Sequence, residues 1–237
     1  MKLVIFDIDG TLTNTNDIDD ACFVKALEKS HGITAISTDW AEYQHTTDSG
    51  ITQFIFQERF RRNPEVEELS KFKSCFVDLL NAEYRANRVN FTAIAGAPVA
   101  LERLKQDAHW AVALATGSWR EAALLKLKAA GIEVDGMVAA YADDGLSREE
   151  ILGVAASKSL EQYRQSEFEK IVSVGDGLWD VRVARRLGFA FLGVGDGDSV
   201  MKLHRAGAKH VIKDFTDYEL FADRLTEADV PVAERFR

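Results

Sequence analysis

The sequence predicts an α/β protein, a doubly wound parallel sheet into which a helical domain is inserted. Three features predict it. Short apolar runs recur along the chain, segments of helical period separate them in the C-terminal part, and residues 14–90 break that alternation with helices alone. A chain of 237 residues can hold this plan, and a composition that is 46% hydrophobic and 28% charged, with 3 Pro, is that of a compact protein.

The first apolar run, residues 3–6, does not alternate with polar positions, so it suits a strand buried on both faces of a parallel sheet. Similar runs follow at 110–115, 137–140, 171–174, 190–194 and, more weakly, 210–212. Helical spacing lies between them: Ala123, Leu124 and Leu127; Ile151, Leu152, Ala155 and Ala156; Val183, Ala184 and Leu187. Ser118 with Glu121, Ser147 with Glu150 and Thr216 with Glu219 fit the capping box, and Gly131 and Gly188 fall where helices end. Right-handed crossovers then put any site at the carboxyl ends of the strands.

The predicted insertion has three apolar faces of helical period. Ile18, Cys22, Phe23, Ala26 and Leu27 form one; Ile51, Phe54, Ile55 and Phe60 a second; Val66, Leu69, Phe72, Phe76 and Leu79 a third. The expected division is a core of residues 1–13 and 91–237, with 14–90 inserted.

A net charge of −9 and a pI near 5.1 exclude a broadly basic face, so neither nucleic acid nor a membrane is expected as partner. Cys22 and Cys75 lie far apart without Cys or His at metal-site spacing, which predicts reduced, buried thiols. The opening apolar run is too short for a signal-peptide core or a membrane span, and the expected location is cytoplasmic.

Chemistry concentrates where the first strand ends. Asp7-Ile8-Asp9-Gly10-Thr11 sets two carboxylates two positions apart, on the same side if the extended geometry persists. One can act as a nucleophile while the other, if its neighbours raise its pKa, exchanges protons with a leaving group. Gly10 leaves room for a sharp turn and for a phosphate near the backbone.

Extended to Leu12, this run resembles the first motif of the haloacid dehalogenase superfamily. The resemblance implies a hydroxyl after a later strand, and Ala115-Thr116-Gly117-Ser118 stands there, with the free amides at the start of a Ser118-capped helix favouring an anion. It also implies an acidic pair, which Gly175-Asp176-Gly177-Leu178-Trp179-Asp180 supplies. The family's cation is assigned to Arg148, where related phosphatases carry Lys-Pro, with Lys158 as the alternative. The match runs from residue 3 to about 194 and implies a Rossmann-like core with a helical cap, similar to phosphoglycolate phosphatases.

On that resemblance the chain is a phosphatase acting on a small phosphorylated metabolite. Asp7 is the nucleophile and Asp9 the acid and base; Thr116 and Arg148 neutralise phosphoryl charge; Gly10, Gly117 and Ser118 add substrate contacts. Asp7, the carbonyl of Asp9, Asp176 and Asp180 hold Mg²⁺, a hard cation suited to oxygen ligands. Cap candidates are His45, Thr46, Thr47 and Asp48 before Gly50, and Arg59, Arg61 and Arg62. A phosphomutase, a phosphonate hydrolase using Lys25, Lys29, Lys71 or Lys73, and a non-catalytic relative are the alternatives; a halide-releasing enzyme is disfavoured by Asp9.

Overall fold

The structure, a computed structural model, describes residues 1–232. In chain order the elements are β1 (Lys2–Phe6), β2 (Thr13–Asn14), α1 (Asn16–His31), α2 (Asp48–Phe60), α3 (Val66–Ala86), β3 (Thr92–Ala93), α4 (Ala97–Lys105), β4 (Trp110–Ala115), α5 (Arg120–Ala129), β5 (Val138–Ala140), α6 (Arg148–Gln162), β6 (Ile171–Gly175), α7 (Leu178–Leu187), β7 (Ala190–Val194), α8 (Asp198–Ala206), β8 (His210–Ile212) and α9 (Tyr218–Glu227). Six strands form one parallel sheet in the order β5-β4-β1-β6-β7-β8.

The unalternating apolar runs become strands because both faces of the sheet are covered. Val4, Phe6, Val112, Leu114, Val172 and Val174 meet α4, α5 and α9 on one side. Leu3, Ile5, Ala111, Ala113 and Ala115 meet α6 and α7 on the other. Every residue of β4 is buried, as a central strand in this arrangement requires.

Helices α1, α2 and α3 share a core of their own, in which Phe23 lies 5.0 Å from Phe72 and 5.7 Å from Phe76. Trp119, just before α5, closes that core from below, 5.2 Å from Phe72. The antiparallel pair β2 and β3 joins the two ends of this helical segment, with Thr13 opposite Ala93 and Asn14 opposite Thr92. The apolar faces are less complete than their spacing predicts: Phe54, Phe60 and Val66 are exposed, Phe54 against Tyr43 and Phe60 against Phe56.

Two predicted caps are corrected. Trp119, not Ser118, precedes the first turn of α5, and its amide and that of Arg120 donate to Asp48 Oδ2 and Asp143 Oδ2, each at 2.8 Å. Those amides are therefore already occupied by carboxylates rather than free for an anion. Asp217 caps α9 by accepting from Leu220 N, while Thr216 is held by Asp214. The box at Ser147 and Glu150 is formed, and Gly188 ends α7 in the left-handed conformation.

Cys22 is buried as expected, Cys75 only half-buried, and both thiols are free. Among the described residues no helix is long and apolar enough to cross a membrane.

Candidate active site

Three adjacent strands deliver the site. β1, β4 and β6 run in register, Phe6 beside Leu114 and Val174, so the residues that follow them emerge together at one edge of the sheet. Asp7 N still donates to Val174 O, at 2.9 Å, which holds the nucleophile candidate against β6. Gly10 then turns the chain with φ +74°, and a Cβ there would come within 2.1 Å of Asp176 Oδ2. Both space and conformation demand glycine at this position. Asp176 itself accepts from Thr11 Oγ1 at 3.3 Å and Asn16 Nδ2 at 3.2 Å.

Asp7, Asp176 and Asp180 present one carboxylate oxygen each within 4.8 Å of one another. Asp7 Oδ1 is enclosed and has no hydrogen-bond partner among the described residues. Burial first, and then the charge of Asp7, pushes the Asp176 carboxyl up to about 7 and lifts Asp180 well above the usual carboxylate range. Asp7 is raised as well, by burial and Asp9 against the opposing pull of Arg148. Three hard, crowded oxygens and one orphaned acceptor suit a small divalent cation such as Mg²⁺.

Arg148, the first residue of α6, reaches the same centre, with Nη1 3.3 Å from Asp7 Oδ2 and 3.2 Å from Asp180 Oδ1. Its Nε donates to Thr46 O at 3.0 Å, and Gly117 leaves the space this requires, since a Cβ there would lie 2.9 Å from Nη2. Lys158 is 45% exposed and pairs with Asp144 at 2.9 Å, away from these carboxylates. If the centre handles the phosphoryl group that the sequence resemblance implies, replacing Arg148 by Ala lowers kcat/KM by about 10²-fold, by analogy with loss of one charge-stabilising donor, and Lys158→Ala changes it little. A reversed order would make Lys158 the cation that the resemblance implies.

Asp9 departs from the expectation. β1 ends at Phe6, the extended geometry stops, and Asp9 turns to different partners from those of Asp7. Thr15 Oγ1 donates to Oδ1 at 2.6 Å, while Lys126 Nζ at 2.7 Å and Ser118 Oγ at 3.1 Å donate to Oδ2. Burial alone would raise its pKa, but the Lys126 charge and these three donors hold it below the ordinary carboxylate value. The neighbours of Asp9 therefore oppose the raised pKa that an acid role needs.

Lys126 was not singled out from the sequence. Its side chain is 0% exposed and its ammonium also donates to Asp19 Oδ1 at 2.5 Å and Ser118 Oγ at 2.8 Å. Asp19 stays well above its usual value, chiefly through burial, because Lys126 is its single side-chain donor among the described residues and Asp9 and Asp48 face it. The signal was present: Ala122, Ala123, Lys126 and Leu127 share the buried stripe of α5, where a lysine must find counter-charges.

A cavity of about 80 Å³ opens between this centre and the helical segment. Asp9, Thr116, Gly117, Ser118 and Arg148 line it from the sheet, and Asp19, Asp20, Phe23, Trp40, Thr46 and Asp48 from the other side. Thr116 Oγ1 accepts from Ser118 N at 3.2 Å and keeps its own proton to donate. Thr47 also lines the cavity while it caps α2 and donates to Leu146 O at 2.7 Å, and His45 lines a neighbouring groove. Arg59, Arg61 and Arg62 do not line the cavity; Arg61 and Arg62 pair with Glu58 and Glu68.

A family model for haloacid dehalogenase-like hydrolases matches residues 1–188. No curated protein matches significantly in sequence. Among solved structures, a hydrolase from Pseudomonas syringae superposes with a TM-score of 0.70 at 20% identity, covering 95% of this chain and 99% of that one. A predicted phosphoglycolate phosphatase from Haemophilus somnus gives 0.60 at 18%, over 94% and 98% of the two chains. A phosphonoacetaldehyde hydrolase-like protein from Oleispira antarctica gives 0.62 at 16%, over 97% and 95%. At such identities the likeness speaks for the fold alone.

Proposed function

Because the chain belongs to the haloacid dehalogenase-like hydrolases, we propose that it hydrolyses small phosphate monoesters by passing the phosphoryl group through Asp7. The observation that carries this reading is the enclosed, unpartnered Asp7 Oδ1 beside Asp176, Asp180 and the Arg148 guanidinium. Asp7, the carbonyl of Asp9, Asp176 and Asp180 are the residues that would hold Mg²⁺, which when bound supplies Lewis-acid stabilisation of phosphoryl charge.

Asp7 attacks phosphorus, the P–O bond to the leaving alcohol breaks, and water then displaces the phosphoryl group from Asp7. Arg148 and the Thr116 hydroxyl stabilise the phosphoryl oxygens, with Gly10, Gly117 and Ser118 shaping the space beside them. Asp9, ionised among its three donors, suits the removal of a proton from the attacking water. To protonate the leaving oxygen it must first leave those donors and take up a proton. Residues 14–90 act as a cap, with Phe23, Trp40 and Thr46 keeping bulk water from the reacting centre.

One alternative loses support from the lining of the cavity. None of Lys25, Lys29, Lys71 and Lys73 lines it, and Lys73 pairs with Asp143, which leaves a Schiff-base mechanism without its amine.

Hydrolysis of an aryl phosphate with Mg²⁺, lost on chelation, is the expected result; no turnover, or turnover indifferent to the metal, would refute the reading. The carboxylates also predict how stability depends on pH. A folded pKa raised from 3.8 to about 7 at Asp176 means stability that is complete below pH 3.8 and is lost as pH rises through 7. Metal-free protein is therefore expected to melt at progressively lower temperature from pH 5 to pH 8. Mg²⁺ should offset this most at the alkaline end, by about 2.7 kcal/mol at a hundredfold excess over Kd. Parallel melting curves with and without Mg²⁺ across that range would mean that the cluster does not bind the ion.

A further inference from the structure

We infer that the cavity accepts a leaving group bearing a positively charged amine, so that the substrates are aminoalkyl phosphates; this rests on the phosphatase reading above. The reacting centre would be balanced without it, because Arg148 pairs with Asp7 and Asp180, and Asp7, Asp176 and Asp180 could hold a divalent cation. The rest of the cavity is not. Asp9, Asp19, Asp20 and Asp48 all line it, and the Lys126 ammonium is shared between Asp9 and Asp19.

Asp20 and Asp48 therefore have no ion-pair partner among the described residues. Asp48 is only 7% exposed, yet while Oδ2 accepts from Trp119 N, Oδ1 takes no hydrogen bond and stands on the cavity wall. That oxygen is not sealed off, so a ligand in the cavity can supply the donor. Burial above all pushes its carboxyl up to about 7, and a cation held beside it would favour the ionised form.

The other walls fit an alkylammonium. Trp40 is fixed by donating from Nε1 to Asp20 Oδ1 at 2.8 Å, and Phe23 meets it edge-on at 5.8 Å. Indole and phenyl surfaces beside carboxylates hold both the methylenes and the charge of such a group. Space for about six waters suits a short chain. A carboxylate on the leaving group, as in phosphoglycolate, would add like charge to this wall.

Three esters of similar size separate charge from shape: phosphoethanolamine, propyl phosphate and phosphoglycolate, each assayed with Mg²⁺ beside an aryl phosphate. The expected kcat/KM falls in that order, with about tenfold or more between the first and last. Asp20→Asn and Asp48→Asn should each shrink the ratio of phosphoethanolamine to propyl phosphate by about tenfold, mainly through KM, since Asn keeps the volume and the acceptor oxygen but not the charge. Propyl phosphate or phosphoglycolate equalling phosphoethanolamine, or a ratio unmoved in both variants, overturns the inference; turnover of the aryl phosphate then leaves the hydrolase reading standing. No hydrolysis of any ester overturns both.

Discussion

Asp7→Asn is expected to leave the fold intact and to lower turnover of an aryl phosphate by about 10⁴-fold or more, the scale on which removal of a covalent nucleophile is felt. Asn conserves volume, and the backbone bond from Asp7 N to Val174 O is untouched. Arg148 loses one partner but keeps Asp180 at 3.2 Å. The metal-free protein should melt no lower than the wild type, because one of three mutually repelling carboxylates is gone. Steady-state kinetics after exclusion of deamidation check the rate, and circular dichroism the fold. Activity within tenfold of wild type would remove Asp7 from the reaction.

Lys126→Met is expected to cost about 3–5 kcal/mol of stability, the usual consequence of removing one partner from a buried ionic cluster. Met fills the space of the lysine stem but leaves the half-buried Asp9 and Asp19 carboxylates, packed around a side chain that is itself 0% exposed, with no cation between them. Adding Asp19→Asn should recover part of the loss, because one uncompensated charge is then absent. Denaturant unfolding of the single and double variants reads both effects. A loss below about 1 kcal/mol, the level of a surface pair, would show that the cluster carries little energy.

The strands were readable because the sheet is buried on both faces, so apolar runs need no alternation; residues 110–115 and 190–194 are strands to the residue. The place of Arg148 beside Asp7 and Asp180 was readable because the Ser147 box marks the start of α6, which points its first side chain at the strand ends. What failed were local rules overridden by distant partners. Ser118 has the spacing of a helix cap, but Lys126 and Asp9 engage its hydroxyl and Asp48 takes the amide next to it. The shared orientation of Asp7 and Asp9 assumed a strand longer than the sheet supports. The Asp9–Lys126–Asp19 cluster joins residues 107 or more positions apart, and no short motif encodes it. Phe54 and Phe60 follow a helical stripe that the neighbouring helices do not fully cover.

The two-step transfer through Asp7 is tested most directly by the configuration at phosphorus. Hydrolysis in isotopically labelled water of an ester made chiral at phosphorus by oxygen isotopes and sulfur needs no accumulation of an intermediate. Two successive in-line displacements, at Asp7 and then by water, predict overall retention. Inversion would mean a single displacement by water and would contradict the covalent role of Asp7.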